Sequence, residues 1–295
     1  MLLGTFHERE GDQTLVSEGD AGHAGWIRTF GGTFEQRWTG YVAPTFDGNV
    51  SGVQMGLPVY DFKHADGQAD RFGVFFGYAL SAGQVRGFSL GYLNLPVGDL
   101  NMNTYGAGAY WTHTTPGGAY VDTVMMYSWL NANANSLDGI STGLNGRSIA
   151  ISSEAGLPIS IGGPWKFEPQ AQMIWQHQAF DTAYDMFSAM DFKATDAFTG
   201  RIGFRLGPDL DLPTGRISPY LRANVWHTFS GDSSVLFNNI PILTTLNATL
   251  MQVGGGITAE VNKSLAVYAT LDRTFSLDNN TQQAFEARGG LRAFW

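Results

Sequence analysis

The sequence predicts an all-β protein, a twelve-stranded antiparallel transmembrane β-barrel, and three observations carry that reading. The first is the closing segment 285–295 (FEARGGLRAFW). In it Phe285, Ala287, Gly289, Leu291, Ala293 and Trp295 alternate with Glu286, Arg288, Gly290, Arg292 and Phe294. Successive side chains leave a pleated backbone on opposite faces, so the segment has one apolar face and one charged face. An apolar outside, a polar inside and a terminal aromatic suit a barrel of a bacterial outer membrane. The second observation is composition. Charged residues make up only 15% of the chain, Gly supplies 38 of 295 residues, and aromatics reach 13%; soluble domains carry roughly a quarter charged residues. Mean hydropathy is nevertheless close to zero, and the chain lacks the run of about 18 apolar residues that a membrane-spanning helix needs. Strands with one face on lipid and the other on water average out in this way. The third observation is that short and long connections alternate along the chain.

Residues 1–22 do not read as strand. Residues 1–5 suit the end of a helix, the charged stretch HEREGDQ follows, and SEGDAGHAG is loop-like. From there the chain divides into a lead-in, 1–22, and a barrel, 23–295. Strands are expected at 25–34, at 48–61 (Val53, Met55, Leu57 and Val59 outward; Gln54, Gly56 and Tyr60 inward) and at 71–81 (Phe72, Val74, Phe76 and Tyr78 on one face). The next are 101–114, with Tyr105 and Trp111 opposed to Tyr110; 118–130, with Val121, Met125 and Trp129 outward and Asp122 inward; and 144–160, where Ile149 and Ile151 oppose Ser152 and Glu154. Segment 165–179 alternates most clearly, setting Trp165, Phe167, Met173 and Trp175 against Lys166, Glu168, Gln170, Gln172 and Gln176. Segment 198–207 sets Ile202 and Phe204 against Arg201 and Arg205, and 217–229 sets Leu221 and Val225 against Arg222, Asn224 and Trp226. Segment 247–261 opposes Val253 and Ile257 to Gln252 and Glu260, 264–275 opposes Val267 and Leu271 to Tyr268 and Asp272, and 285–295 closes the set.

Short connections fall at 62–70, 115–117, 161–164, 208–216 and 262–263. Long ones fall at 35–47, 82–100, 131–143, 180–197, 230–246 and 276–284. Short turns on one rim and long loops on the other are the outer-membrane pattern, the short rim being periplasmic; a β-sandwich has no reason to alternate them. Trp26, Trp111, Trp165 and Trp295 fall near short-turn ends, and Trp38, Trp129, Trp175 and Trp226 near the long-loop side, as two aromatic girdles would. Trp26 shares the parity of Arg28. A charge on the lipid face at mid-depth costs about 2–4 kcal/mol, so Arg28 should face inward and take Trp26 with it.

A net charge of −9 argues against a nucleic-acid partner. The absence of Cys removes disulfides, thiolate metal sites and a Cys nucleophile. Met1 leads straight into charged sequence with no basic n-region or long apolar core, so an export signal is expected upstream.

The segments LLGTFHEREGDQ, HAGWIRTFGG, GVQMGL, YGAGAYWTH, AYVDTVMMYSW, PYLRANVWHTF and GGLRAFW, in that order, resemble the translocator domain of autotransporters, the type V secretion family. The resemblance runs over essentially the whole chain. It implies a twelve-stranded barrel with an N-terminal helix inside the pore, represented here by its last turns at about 1–9. It also implies integral residence in the bacterial outer membrane in contact with its lipid, and carriage of an N-terminal passenger that this sequence does not contain. By the same resemblance the barrel assembly machinery, reached with periplasmic chaperones, recognises the terminal strand.

Inward parity gives the candidate pore-lining residues Arg28, Asp122, Glu154, Glu168, Arg201, Arg205, Arg222, Glu260, Asp272, Glu286 and Arg288, as the walls of a hydrated conduit or as ordinary lumen ion pairs. Gly290, Leu291, Arg292, Phe294 and Trp295 are the candidate assembly signal. Some autotransporters cut off their passenger with lumen acids near a helix Asn. Asp122 and Glu154 have the right parity, but 1–22 contains no Asn, so self-cleavage is not expected. Two alternatives stand beside the translocator. One is a passive pore, whose loops 180–197 and 230–246 could also contact partners. The other is an outer-membrane phospholipase, which needs Ser and His within hydrogen-bond reach on the lipid face. His177 and His227 have outward parity, but no G-x-S-x-G occurs. The six His residues are scattered without H-E-x-x-H, and no metal, cofactor or catalytic residue is expected.

Overall fold

The computed structural model describes residues 2–10, 24–40, 43–213, 215–262, 264–278 and 281–294. Its twelve long strands are β1 (Ala24–Arg37), β2 (Thr45–Lys63), β3 (Ala69–Ser89), β4 (Tyr92–Thr114), β5 (Tyr120–Ser136), β6 (Ser141–Gly156), β7 (Trp165–Phe180), β8 (Thr195–Pro208), β9 (Gly215–Ser230), β10 (Thr249–Asn262), β11 (Leu265–Ser276) and β12 (Gln282–Phe294). Each pairs antiparallel with its neighbour in sequence, and β12 returns to β1 from Ala24↔Phe294 to Gln36↔Gln282. The sheet is therefore closed and leaves no unpaired edge in the membrane. One helical turn, α1 (Phe6–Glu10), lies inside it. Met1, part of the lead-in and Trp295 fall outside the described residues.

Period two predicts the strands to within a few residues at the short-turn rim, and departs from the structure at the long-loop rim. The expected loop 82–100 is instead strand. β3 and β4 run 21 and 23 residues, about twice what a bilayer requires, and meet at a two-residue turn where Leu90 and Gly91 have φ of 51° and 82°. Positive φ at both central residues is the hairpin geometry whose twist matches its strands. Beyond the lipid the outward positions need not be apolar, so the ladder continues while its sequence signature fades. Loops 180–197 and 230–246 likewise carry structure. Ala183–Tyr184, Ala189–Phe192, Asp232–Phe237, Ile240–Thr245 and Thr39–Gly40 form a separate five-stranded sheet.

A bulge in β2 corrects one side-chain assignment. Register shifts between Pro58 and Tyr60; the extra residue there reverses parity. Tyr60 is consequently exposed and stacks on Phe62 with ring centroids 6.4 Å apart, rather than pointing inward. The outer wall is otherwise an apolar band, with Met55, Phe76, Met125, Ile202, Leu221 and Leu271 each more than half exposed. Two tryptophans counted toward the girdles belong to the lumen. Trp26 is buried, and Trp226 donates to Gln252 Oε1 at 3.2 Å beneath the Arg201 guanidinium. Trp165 at one rim and Trp129 and Trp175 at the other do face outward and are exposed.

Candidate functional site in the barrel lumen

Residues 2–9 lie within the lumen, in contact with its wall. Thr5 caps α1, its Oγ1 accepting from the Glu8 N–H at 3.4 Å, while Glu8 Oε2 reaches back to the Thr5 N–H at 3.1 Å. This reciprocal capping box satisfies two donors at the helix start. A five-residue helix does not persist alone in water, so its order comes from the barrel around it. Arg28 on β1 clamps the segment at both ends. Its Nη2 donates to the Leu2 carbonyl at 2.8 Å and Nη1 to the Glu8 carbonyl at 3.0 Å, while Nε is held by Gln54 Oε1 at 2.8 Å. Gly4 sits between these contacts with φ of 60°, and a Cβ there would stand 2.5 Å from Arg28 Nη1. Neither the backbone angle nor the space admits another residue without strain.

One part of the lumen wall is apolar. Trp26, Phe30, Phe75, Ala79, Tyr110, Val124 and Met126 from β1, β3, β4 and β5 pack with Leu2 into one buried cluster, which Leu3 extends. The rest is ionic and has two centres. Around Glu8, Arg222 Nη2 stands 2.7 Å and Arg288 Nη1 3.0 Å from Oε1. The same two arginines bind Asp272, and Arg288 also binds Glu286. Tyr268 donates its hydroxyl to the Glu8 carbonyl at 2.8 Å. Its ring lies over Gly290, where a Cβ would come within 2.5 Å of it. The second centre is acidic. Asp122 accepts from Arg9 Nη2 at 2.7 Å, Glu168 from His7 Nε2 at 2.7 Å, and Glu154 from the Phe6 N–H at 3.0 Å. Arg201 Nη2 and the Tyr120 hydroxyl also hold Glu154, at 3.0 and 2.7 Å, and Arg205 faces Glu168 at 3.9 Å.

All eleven candidate pore-lining residues stand on inward positions. Arg28, Asp122, Glu154, Glu168, Arg201, Arg205, Arg222, Asp272 and Arg288 are buried, whereas Glu260 and Glu286 are half-buried. In this structure most of them contact one another or residues 2–9. In the closing strand Leu291 is exposed on the outside, and Arg292 is buried inside with its guanidinium 4.9 Å from the Phe294 ring. Sequence reading misses Thr5, Glu8 and Arg9 as the groups that seat the segment, although the T-F-H-E spacing of a capping box was available to find it. It also misses the apolar wall, because parity gives Phe75 an inward direction without a reason for being apolar.

The lipid-face histidines do not assemble a hydrolytic pair. His177 Nδ1 bonds Asp196 at 3.0 Å and His227 Nδ1 bonds Thr249 Oγ1 at 2.9 Å. The outward Ser153 lies in the same row as His227 but three strands away, through Met173 and Gly200. At about 4.8 Å per strand that is far beyond hydrogen-bond reach. Among the described residues no group of His, Asp and Glu could hold a metal ion.

Comparison with known proteins bears on the whole barrel. The family model described as the autotransporter beta-domain matches residues 25–272. A probable autotransporter of Escherichia coli, YcgV, is 25% identical over 98% of this chain and 29% of its own length. The pertactin autotransporter of Bordetella parapertussis is 24% identical over 94% of this chain and 29% of its own. The chain thus spans about 29% of the length of these curated relatives. Among solved structures, the transport unit of the autotransporter AIDA-I from Escherichia coli superposes with a TM-score of 0.75 at 18% identity, covering 96% of this chain and 95% of that one. The beta domain of the Bordetella autotransporter BrkA gives 0.70 at 21% identity, covering 93% and 99%.

Proposed function

The chain belongs to the autotransporter beta-domain family and is an integral outer-membrane barrel, and on that premise we propose that it anchors and exports a passenger joined to its N-terminal side. The carrying observation is the segment 2–9 held inside a closed barrel. A segment lying in the lumen just ahead of a β1 that starts at the short-turn rim is the arrangement left by a polypeptide drawn through the pore. The lipid-facing band anchors the domain, and no bond chemistry of its own is assigned to it. Asp122 and Glu154, the two acids with the parity for self-cleavage, are engaged by Arg9, Thr112, Tyr120, Arg201 and the Phe6 N–H, which supports retention of the segment rather than its cleavage.

We further assign the closing strand, with Gly290, Leu291, Arg292, Phe294 and Trp295, as the segment read by the barrel assembly machinery after delivery by periplasmic chaperones. Deleting Phe294 and Trp295 should lower the amount of folded barrel in the membrane; unchanged amounts contradict the assignment.

The translocator reading is tested by restoring a signal peptide, upstream helix and tagged reporter, then treating intact Gram-negative cells with protease. Loss of the reporter while the barrel stays heat-modifiable supports it. An inserted barrel with a periplasmic reporter favours a passive pore.

A further inference from the structure

We propose that the lumen is a charge-reading site, which recognises the triplet His7-Glu8-Arg9 and retains a segment only when donor, acid and cation arrive in that order. The argument starts from the helix. Consecutive residues on α1 point about 100° apart, so three neighbours address three different sectors of the wall. Glu8 meets the centre formed by Arg222 and Arg288, Arg9 meets Asp122 on β5, and His7 meets Glu168 on β7. These partners stand on different strands, Arg222 being 214 residues from Glu8, Asp122 113 from Arg9 and Glu168 161 from His7. The match is therefore a property of the closed barrel.

The charges at the two centres point the same way. Around Glu8 the described wall offers the cations Arg222 and Arg288, which also hold Asp272 and Glu286, while Arg28 binds the Glu8 carbonyl, so an acid here meets a cluster of guanidinium groups. On the side that receives His7 and Arg9 the described wall offers the carboxylates Asp122, Glu154 and Glu168, with Arg201 on Glu154 and Arg205 near Glu168, and Arg9 meets Asp122 directly. The side chains of Arg9 and Asp122 are 0% and 2% exposed. A wrong charge at either position would be buried against its own sign, which is where electrostatic discrimination is steepest. A segment of another charge order, including passenger sequence on the translocator reading, meets no such match and is not held.

The test measures ion current through the whole chain reconstituted in planar bilayers, with heat-modifiability as the check on folding. The unaltered chain, Arg9→Lys and the swap Arg9→Asp with Asp122→Arg should remain mostly closed. Arg9→Asp alone and Glu8→Gln should raise the open fraction by about a hundredfold, the ratio expected when one partner of a buried pair is lost. A folded swap as open as Arg9→Asp overturns the proposal, as does a closed Glu8→Gln or an Arg9→Lys as open as Arg9→Asp. If the swap does not fold, the three variants confined to residues 8 and 9 still decide it. The proposal rests on the translocator reading only for what else passes through the lumen, and the two fail separately. Current that follows these variants beside a reporter left in the periplasm keeps the charge-reading site and removes the translocator.

Discussion

The two parts of the lumen wall hold the same segment by different physics. Trp26, Phe30, Phe75, Tyr110 and Val124 take Leu2 out of water, an attraction that is non-directional and tolerates sliding. Arg28, Arg222, Arg288, Asp122 and Glu168 instead fix individual atoms of Leu2, His7, Glu8 and Arg9. A wholly apolar lumen would retain many segments in many registers, and a wholly ionic one would bear a large desolvation penalty. Together they give retention from one wall and register from the other.

Variants can separate these contributions. The largest expected effect is that of Arg222→Ala, which leaves Glu8 and Asp272 short of a buried partner and should cost about 3–5 kcal/mol in a denaturant titration in detergent. Adding Glu8→Ala to it should cost less than Glu8→Ala alone, because the two share one network; simple additivity would break the comparison. Phe75→Ala on the apolar wall should cost about 3 kcal/mol through the cavity it opens, with no such coupling to Glu8. Gly4→Ala should cost about 2 kcal/mol of segment seating through backbone strain, read as raised current with the barrel still folded. The smallest effect is that of Thr5→Ala, about 1 kcal/mol from loss of the cap, read as a several-fold rise in open fraction.

What was legible in the sequence follows from what a period of two can encode. It assigns each residue to a face, so Arg28 and Trp26 are placed inside and Met55 outside, and strands such as β7 can be read almost residue by residue. Height and angular position around the barrel depend on the stagger between strands, which alternation does not carry. Hence Glu8 could be seen as a charge near a helix end, but not as the partner of Arg222, which lies 214 residues away. The same limit hides the five-stranded sheet, whose strands come from three separate loops. The bulge after Pro58, one residue long, was enough to turn Tyr60 from one face to the other.

The central claim is that residues 2–9 occupy and close the lumen, and it is tested most directly by comparing ion current through the whole chain with that through residues 24–295. Both barrels should be heat-modifiable. The account predicts a mostly closed whole chain and a persistently open truncated barrel. Equal currents from two folded barrels would contradict it.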